Sequence, residues 1–310
     1  MEFAHRPVLL WECIEGLNIR PDGIYVDGTL GRGGHSEEIA KRLTTGKLIS
    51  IDQDQQAIDG AGRRLAPYGD KVILVKDNFR NTAAILDRMG IAGVDGMLFD
   101  LGVSSPQLDD AERGFSYMND APLDMRMDRA SALTAYHVVN QWTEMELKRI
   151  LRDYGEERCA GRIAAKICRV REDKPIETTL ELVDVIRSAM PAAALREKQH
   201  PAKRSFQAIR IAVNDELGSV EDMIRTVPDK LNVGGRLCVI SFHSLEDRIV
   251  KNGIAARENG CTCPREAPIC TCGFVQTLKN VTRKPIVSGP QELEENPRAR
   301  SAKLRVAERV

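Results

Sequence analysis

Four aspartates, Asp27, Asp52, Asp77 and Asp100, each follow closely on a short apolar run that is typical of a buried strand. Between the first two lies the segment 28–34, Gly-Thr-Leu-Gly-Arg-Gly-Gly, whose glycines let the backbone approach a ligand and adopt positive φ. In an open α/β sheet, ligands bind beyond the carboxyl ends of the strands, and an acid after the second strand can accept hydrogen bonds from a ribose. These residues therefore predict a site for an adenosine-containing ligand.

The spacing of the glycines distinguishes between such ligands. It reads G-x-x-G-x-G-G, unlike the G-x-G-x-x-G of dinucleotide-binding turns, and the chain has no G-x-x-x-x-G-K-[ST] phosphate loop. The run from Asp27 to Gly33 resembles motif I of class I S-adenosylmethionine-dependent methyltransferases, and the run from Leu231 to Leu237 resembles the turn before their fifth strand. This resemblance implies S-adenosylmethionine as the cofactor.

Strand and helix signals alternate on either side of a long helical stretch. Strands are predicted at residues 23–27, 47–52, 72–75, 94–100 and 236–242, with a glycine turn at 234–235 and an edge strand at 303–309. Ser36 is the predicted N-cap of a helix at 37–43, and another helix is predicted at 156–171. The pattern predicts an α/β fold, a class I (Rossmann-like) methyltransferase sheet in two parts, residues 1–105 and 217–310. An inserted all-helical domain for substrate recognition, residues 106–216, separates them.

Charge and hydropathy limit the classes of function. The 310 residues include 45 basic and 45 acidic side chains, and the net charge of zero excludes a globally basic nucleic-acid-binding protein. The charge is uneven, since residues 146–210 hold 15 basic and 10 acidic residues.

No apolar run approaches the roughly 20 residues of a membrane span. The first seven residues lack the apolar core of a signal peptide. We therefore expect a cytoplasmic protein without a membrane partner, of undetermined oligomeric state.

Six longer motifs follow one another in order along the chain. They are the runs Asp27–Ser36, Asp100–Asp109, Glu112–Ser116, Pro122–Asp128, Ser241–Arg248 and Asn296–Ser301. Together they resemble the bacterial 16S rRNA cytosine-N4 methyltransferase family, known as RsmH or MraW, over nearly the whole chain. The resemblance implies methylation of the exocyclic N4 of a cytosine in the ribosomal decoding region, cytosine 1402 in the usual rRNA numbering. It also implies 16S rRNA within the small ribosomal subunit as the partner.

The same resemblance implies which side chains line the cofactor pocket. The cofactor-binding residues are expected to be Gly33, Gly34, His35, Asp52, Phe79, Asp100 and Gln107. The two glycines and the histidine would surround the methionine part, the first aspartate would bind the ribose, and the phenylalanine would pack near the adenine. His35 can equally be interpreted as the first residue of a helix without a role in ligand binding.

Methyl transfer to cytosine needs help at the amine, because the N4 lone pair is delocalised into the ring. A positioned acceptor for the N–H bonds would stabilise the charge that develops on nitrogen. Related amino-methyltransferases place an Asp/Asn/Ser-Pro-Pro-aromatic motif after strand four, and this chain departs from that motif. Asp100 is the candidate acceptor, with Ser104, Ser105 and Pro106 assisting through side chains and backbone carbonyls. Alternatively, Asp100 contacts the cofactor only.

Candidate substrate contacts lie in two further places. Phe242 follows the fifth strand and could stack on the target base, while His243 could bind a phosphate or the base edge. Lys203 and Arg204 belong to a basic run late in the helical insert and are candidates for rRNA phosphate contacts. Their alternative interpretation is a solvated surface.

Four of the eight cysteines form the pattern C-x-C-x6-C-x-C, namely Cys261, Cys263, Cys270 and Cys272. Four nearby thiolates suit tetrahedral zinc in a reducing compartment, although paired zinc ligands usually have two or more residues between them. Reduced thiols in a surface loop are the alternative.

Two other functions fit parts of the sequence. The first is a DNA amino-methyltransferase, which the missing Pro-Pro-aromatic motif disfavours. The second is a ribosome-assembly factor that binds S-adenosylmethionine and transfers no methyl group.

Overall fold

The structure is a computed structural model, and it describes residues 7–264 and 271–310, except for the side chain of Ser105. The strands are β1 (Ile24–Asp27), β2 (Lys47–Asp52), β3 (Val72–Lys76), β4 (Val94–Asp100), β5 (Leu231–Ser241), β6 (Leu278–Asn280) and β7 (Lys303–Arg309). The helices are α1 (Leu10–Leu17), α2 (Gly34–Arg42), α3 (Gln55–Leu65), α4 (Thr82–Arg88), α5 (Ser105–Asp109), α6 (Ala135–Gln141), α7 (Glu144–Asp153), α8 (Ala160–Asp173), α9 (Thr179–Ala189), α10 (Ala192–Leu195), α11 (Lys203–Asn214), α12 (Glu216–Thr226), α13 (Ser244–Glu258) and α14 (Pro290–Glu295).

The chain divides into two compact units. The sheet unit comprises residues 1–102 and 217–310, and the helical unit comprises residues 103–216. No helix in the described ranges 7–264 and 271–310 combines the length and apolarity needed to cross a membrane.

All seven strands form one sheet in the order β3-β2-β1-β4-β5-β7-β6. The first five strands in this order are parallel, β7 runs antiparallel to β5, and β6 runs antiparallel to β7. The chain winds outward from β1 to β3 and then returns to the other side of β1 with β4. The carboxyl ends of β1 and β4 therefore meet at the point where the strand order reverses, where open α/β sheets bind their ligands. The sheet is thus the class I, Rossmann-like methyltransferase sheet that the sequence predicts.

Helices cover both faces of the sheet, as parallel strands require. Met97 and Phe99 of β4 belong to one apolar cluster, which includes Met223 of α12. Leu98 lies between them in sequence and belongs to the cluster on the other face, which includes Leu10 of α1. Burial of each such side chain contributes about 1.5–3 kcal/mol, so this alternation fixes the register of the central strands.

The helical unit has an apolar core of its own. Leu147 of α7, Ile163 of α8, Leu182 of α9 and Ile209 of α11 are fully buried and pack in one cluster. Threonine N-caps at the starts of α6, α7 and α9 satisfy free backbone N–H groups there. No strand occurs among the described residues of this unit, although Pro122 and Thr178 form an isolated bridge.

The predicted starts of α8 and β5 are wrong. Helix α8 begins at Ala160 rather than at residue 156. Glu156 has φ 49°, in the left-handed region, and the following residues form a turn in which Glu157 Oε1 accepts from the amide of Cys159 (2.8 Å). Strand β5 begins at Leu231, and Gly234 lies inside it with φ 80°, close to a shift in the register between β4 and β5. The glycine pair therefore accommodates an irregularity within the strand rather than a turn before it.

Candidate cofactor site at the carboxyl edge of the sheet

The loop after β1 is tied to both neighbouring strands. The amide of Gly28 donates to the carbonyl of Leu98 on β4 (2.8 Å), and the amide of Leu30 donates to the carbonyl of Ile51 on β2 (2.9 Å). A Cβ at position 28 would overlap the ring of Phe99, so glycine is required there. The backbone of the loop is consequently held against the strand ends.

Helix α2 follows the loop directly and begins earlier than the predicted residue 37. Gly33 (φ 76°) is the N-cap, and the helix begins at Gly34. The prediction that Ser36 caps this helix is wrong, because its hydroxyl instead donates to Asp27 Oδ2 (2.6 Å) and lies 2.8 Å from Ser50 Oγ. The N–H groups of the first helical turn therefore lie immediately after the glycine loop, at a position that favours an anionic group such as a carboxylate.

Asp27 positions the loop rather than presenting a free carboxylate. It is almost fully buried, and it accepts hydrogen bonds from the hydroxyl of Ser36 and from the amide of Thr29 (3.1 Å). Burial raises the pKa of Asp27, and these hydrogen bonds act in the opposite direction. Sequence reasoning missed Ser36, Ser50 and Thr29 as members of this network. The polar Ser50 in the middle of an otherwise apolar strand was a detectable signal.

Asp52 lies at the end of β2 and faces the same loop. Its Oδ2 accepts from the amide of Gly31 (2.8 Å) and its Oδ1 accepts from the amide of Asp54 (2.8 Å). Burial raises the pKa of Asp52 to about 6, while these two hydrogen bonds lower it. A carboxylate fixed in this way at a strand end can accept bonds from the hydroxyls of a ribose.

Aromatic and amide side chains follow β3. Phe79 is partly exposed, and its ring meets the ring of Phe99 edge to face, with a centroid distance of 6.0 Å. Beside it, the side-chain amide of Asn78 donates to Gln53 Oε1 (2.9 Å), which joins the ends of β3 and β2. These groups provide an apolar surface and polar atoms next to Asp52, as an adenine ring requires.

Asp100 ends β4 and combines a fixed backbone with an unsatisfied carboxyl oxygen. Its amide donates to Thr29 Oγ1 (2.6 Å), which holds it against the glycine loop. Its Oδ1 is buried and has no hydrogen-bond partner among the described residues. Burial raises the pKa of Asp100 to about 8, and the charges of Asp27 and Glu246 add to the shift. Such an orphaned acceptor is typical of a ligand site.

His35 stands between Asp100 and the N-terminal segment. Its Nε2 lies 3.1 Å from the carbonyl oxygen of Val8, and its Nδ1 lies 3.9 Å from Asp100 Oδ2. A carbonyl oxygen only accepts, so Nε2 carries the proton and Nδ1 faces Asp100 with its lone pair. Burial lowers the pKa of His35 and keeps the ring neutral. His35 therefore has both a structural contact and an orientation toward the site.

Phe242 and His243 lie between β5 and α13. Phe242 is partly exposed, and its amide donates to Glu246 Oε2 (2.9 Å). His243 is the N-cap of α13, with Nδ1 accepting from the amide of Glu246 (3.4 Å) and Nε2 lying 3.1 Å from Glu246 Oε1. The histidine is thus hydrogen-bonded locally through Nδ1, whereas its buried Nε2 lies near the carboxylate of Glu246 and has no hydrogen-bond partner among the described residues.

The remaining predicted cofactor and substrate residues lie in the helical unit. The amide of Ser104 donates to Oε1 of Gln107 (3.0 Å), and Gln107 is buried, in the same short helix as Pro106. Lys203 is exposed at the start of α11, and Arg204 Nη2 lies 3.7 Å from Glu197 Oε2.

One loop therefore gathers part of the predicted set. Within the sheet unit, the glycine loop contacts Asp52 directly, holds the backbone of Asp100 through Thr29, and leads into Gly33, Gly34 and His35. Phe79 joins this set through its contact with Phe99. Ser104, Ser105, Pro106, Gln107, Lys203 and Arg204 belong to the other unit. Of the predicted zinc ligands, Cys261, Cys263 and Cys272 lie close together, and Cys270 lies outside the described residues.

Comparison with solved structures finds similar chains, but their TM-scores are low. A putative rRNA methylase from Clostridium thermocellum has a TM-score of 0.47 and 10% identity, with 99% of this chain and 100% of that chain covered. A putative methyltransferase from Streptococcus mutans in complex with SAH has a TM-score of 0.43 and 10% identity, with 99% and 100% covered.

Comparisons of sequence are more specific. The chain is 56% identical to the Ribosomal RNA small subunit methyltransferase H of Brevibacillus brevis, with 100% of this chain and 99% of that protein covered. It is 58% identical to the protein of the same name from a Paenibacillus species, with 99% and 100% covered. A sequence model described as the MraW methylase family matches residues 2–310. The chain therefore belongs to the MraW methylase family.

Proposed function

We propose that this chain transfers a methyl group from S-adenosylmethionine to the exocyclic N4 of cytosine 1402 of 16S rRNA, within the small ribosomal subunit. The names of the relatives support a small-subunit rRNA substrate. The observation that carries the chemistry is the buried, unpartnered Oδ1 of Asp100, which is fixed beside the glycine loop at the switch point of the sheet. A ribosomal substrate places the reaction in the cytoplasm.

The residues of the sheet unit fit S-adenosylmethionine. Asp52 would accept the ribose hydroxyls, and Phe79 would contact the adenine. Gly33, Gly34 and the neutral His35 would surround the methionine part, where the N-terminus of α2 favours a carboxylate. The orphaned oxygen of Asp100 supports the fit, because a bound cation would satisfy it. In this proposal Gln107 also contributes to the pocket.

S-adenosylmethionine supplies an electrophilic methyl group on a positively charged sulfur. Asp100 would accept an N–H bond of the target amine and take its proton as nitrogen becomes positive. In the free protein the pKa of Asp100 is raised to about 8, and the positive charge of the bound cofactor would lower it and leave the carboxylate ionised, as an acceptor requires. Ser104, Ser105 and the backbone before Pro106 would orient the amine toward it. The alternative role of Asp100, as a cofactor contact only, predicts a loss of binding without a separate loss of transfer rate.

Base and phosphate contacts complete the proposal. Phe242 would stack on the target base, an interaction worth about 1–3 kcal/mol. His243 would stay close to the base edge while it caps α13. The helical unit would recognise the rRNA, with Lys203 and Arg204 on phosphates.

Lys203→Gln tests the phosphate contact. We expect weaker binding of 16S rRNA and a salt dependence reduced by about one unit of slope, with unchanged affinity for the cofactor. Lys174→Gln is the matched control, since Lys174 Nζ already lies 2.9 Å from Glu181 Oε1. Equal losses of RNA and cofactor binding in Lys203→Gln would contradict the assignment.

Methyl transfer itself is tested with S-adenosylmethionine carrying a labelled methyl group. The acceptors are small subunits, large subunits, naked 16S rRNA and DNA, and the modified base is identified by mass spectrometry of nuclease digests. Label on N4 of cytosine 1402 supports the proposal. Label on DNA would indicate a DNA amino-methyltransferase. Cofactor binding with no transfer to any acceptor would indicate an assembly factor.

A further inference from the structure

Three cysteines lie together in the sheet unit, in the segment between α13 and β6. We name Cys261, Cys263 and Cys272 the cysteine cluster. Their sulfur atoms all lie within 4.8 Å of one another, and the sulfurs of Cys261 and Cys272 are 3.6 Å apart. The proposed methyl transfer makes no use of them.

The sulfur spacing matches a tetrahedral metal centre. A zinc–sulfur bond of about 2.3 Å at tetrahedral angles separates neighbouring ligand sulfurs by about 3.8 Å. The observed 3.6 Å agrees with this value, and it is far longer than the roughly 2.05 Å of a disulfide. The three sulfurs are therefore close enough to share one ion, and the three cysteines are free thiols rather than a bridged pair.

The chain around the cluster is held at both ends. Gly260, directly before the first cysteine, lies under the ring of Phe274, so that a Cβ there would come within 2.7 Å of the ring. Further along, the amide of Thr277 donates to the carbonyl of Arg257 at the end of α13 (3.0 Å). These contacts hold the residues before Cys261 close to those after Cys272.

One sulfur also has a backbone donor. The amide of Thr271 donates to Cys263 Sγ (3.2 Å). Hydrogen bonds from the surrounding chain to ligating atoms orient them and stabilise their ionised form. This contact links the two sides of the cluster.

We propose that Cys261, Cys263 and Cys272 bind a zinc ion that has a structural role. Three thiolates supply three of the four tetrahedral positions of a soft cation. The site lies past the C-terminal end of α13, whereas Phe242 and His243 precede the N-terminal end of that helix. Its 15 residues span about 22 Å, so the ion is too far away to act on the reacting atoms. It closes the segment that connects α13 to the short edge strand β6.

The test is the metal content of the full-length protein, purified without chelators from zinc-supplemented cells and measured by plasma mass spectrometry. We expect about one zinc per chain in the wild type and at least a tenfold loss in the double variant Cys261→Ser/Cys272→Ser. Cys159→Ser, which changes a partly exposed thiol of the helical unit, is the control and should keep its zinc. A wild type without zinc, or a double variant that retains it, would overturn the proposal.

Cobalt substitution provides a second measurement that does not depend on the folding of a variant. Wild-type protein that has been stripped of metal and loaded with Co²⁺ should show thiolate-to-cobalt charge transfer and the intense visible bands of tetrahedral coordination. Weak octahedral bands alone, or a disulfide between Cys261 and Cys272 in protein prepared under reducing conditions, would rule out the site.

Discussion

Asp100→Asn tests the electrostatics of the site most directly. The pKa of Asp100 is raised to about 8, first by burial and then by the charges of Asp27 and Glu246. His35, the other titratable side chain near its oxygens, is held neutral by burial. At pH 7 about nine-tenths of Asp100 is therefore protonated before any ligand binds. A cation bound beside its orphaned Oδ1 would favour the ionised form and expel that proton.

The number of protons released on cofactor binding follows from the linkage between protonation and binding. If the bound sulfonium leaves Asp100 fully ionised, binding at pH 7 releases about 0.9 proton per cofactor molecule. The apparent affinity then increases by up to tenfold for each pH unit between about 6.5 and 8 and becomes constant above pH 8. Asp52, with its pKa of about 6, affects binding mainly below this window. A quarter of the Asp100 side chain is exposed, so these values are upper limits.

The assay is isothermal titration calorimetry at pH 7 in buffers of different ionisation enthalpy, which counts the protons released. S-adenosylhomocysteine is the matched control ligand, because it lacks the positive charge on sulfur and should release far fewer protons. Asp100→Asn should bind S-adenosylmethionine more weakly and without proton release. Undiminished release in the variant, or none in the wild type, would refute the assignment of the proton to Asp100.

Folding stability provides an independent check of the same pKa. Between pH 4 and pH 8 the native chain holds a proton at Asp100 that the unfolded chain has lost, so this group makes the protein less stable as the pH rises. The upper limit of the slope is about 1.4 kcal/mol per pH unit. Allowing for the partial exposure, we expect Asp100→Asn to gain roughly 2–3 kcal/mol relative to the wild type between pH 5 and pH 8. Urea unfolding at the two pH values measures this gain.

Three further predictions concern the loop and its supports. Gly28→Ala should lower the free energy of unfolding by about 1–3 kcal/mol because its Cβ would overlap Phe99. Gly60→Ala, which meets no atom within 4 Å inside α3, should leave that energy unchanged or raise it by about 1 kcal/mol. Ser36→Ala removes a buried donor and should cost about 1–3 kcal/mol in urea unfolding. Asp52→Asn should weaken the binding of adenosine as well as of the whole cofactor, whereas a loss confined to the whole cofactor would contradict its ribose contact.

The architecture could be predicted from sequence because buried parallel strands give continuous apolar runs. Residues 94–100 and 236–242 had this pattern, and the glycine loop marked the carboxyl edge of the sheet. Asp52 and Asp100 were identified for the same reason, since each ends a strand at that edge. The sequence pattern alone therefore predicted which backbone positions lie at the carboxyl edge of the sheet, where the candidate site is.

Side-chain networks and irregular backbone could not be predicted in this way. Ser36 has the residue type of an N-cap, but its hydroxyl donates to Asp27, a contact that depends on the packing of β1 against α2. Glu156 is excluded from α8 by a left-handed conformation that no local signal requires, and a turn at Glu157 precedes the helix. The pKa of Asp100 depends on Glu246, which is 146 positions away in sequence and reaches it only through the parallel pairing of β4 with β5.

The unfavourable burial of Asp100 implies that the cofactor must bind before Asp100 can accept a proton. A buried carboxyl group without a partner lowers the stability of the free protein when it ionises. Its ionised form becomes favourable only when a positive charge lies beside it. Cofactor binding would therefore convert Asp100 from a neutral acid into a carboxylate, and only the carboxylate can accept a proton from an amine. Burial therefore keeps Asp100 protonated in the free protein, and the proton acceptor forms only when the methyl donor is bound. If Asp100 served only to hold the cofactor, Asp100→Asn would raise the concentration of cofactor needed for half-maximal rate and leave the rate at saturation unchanged.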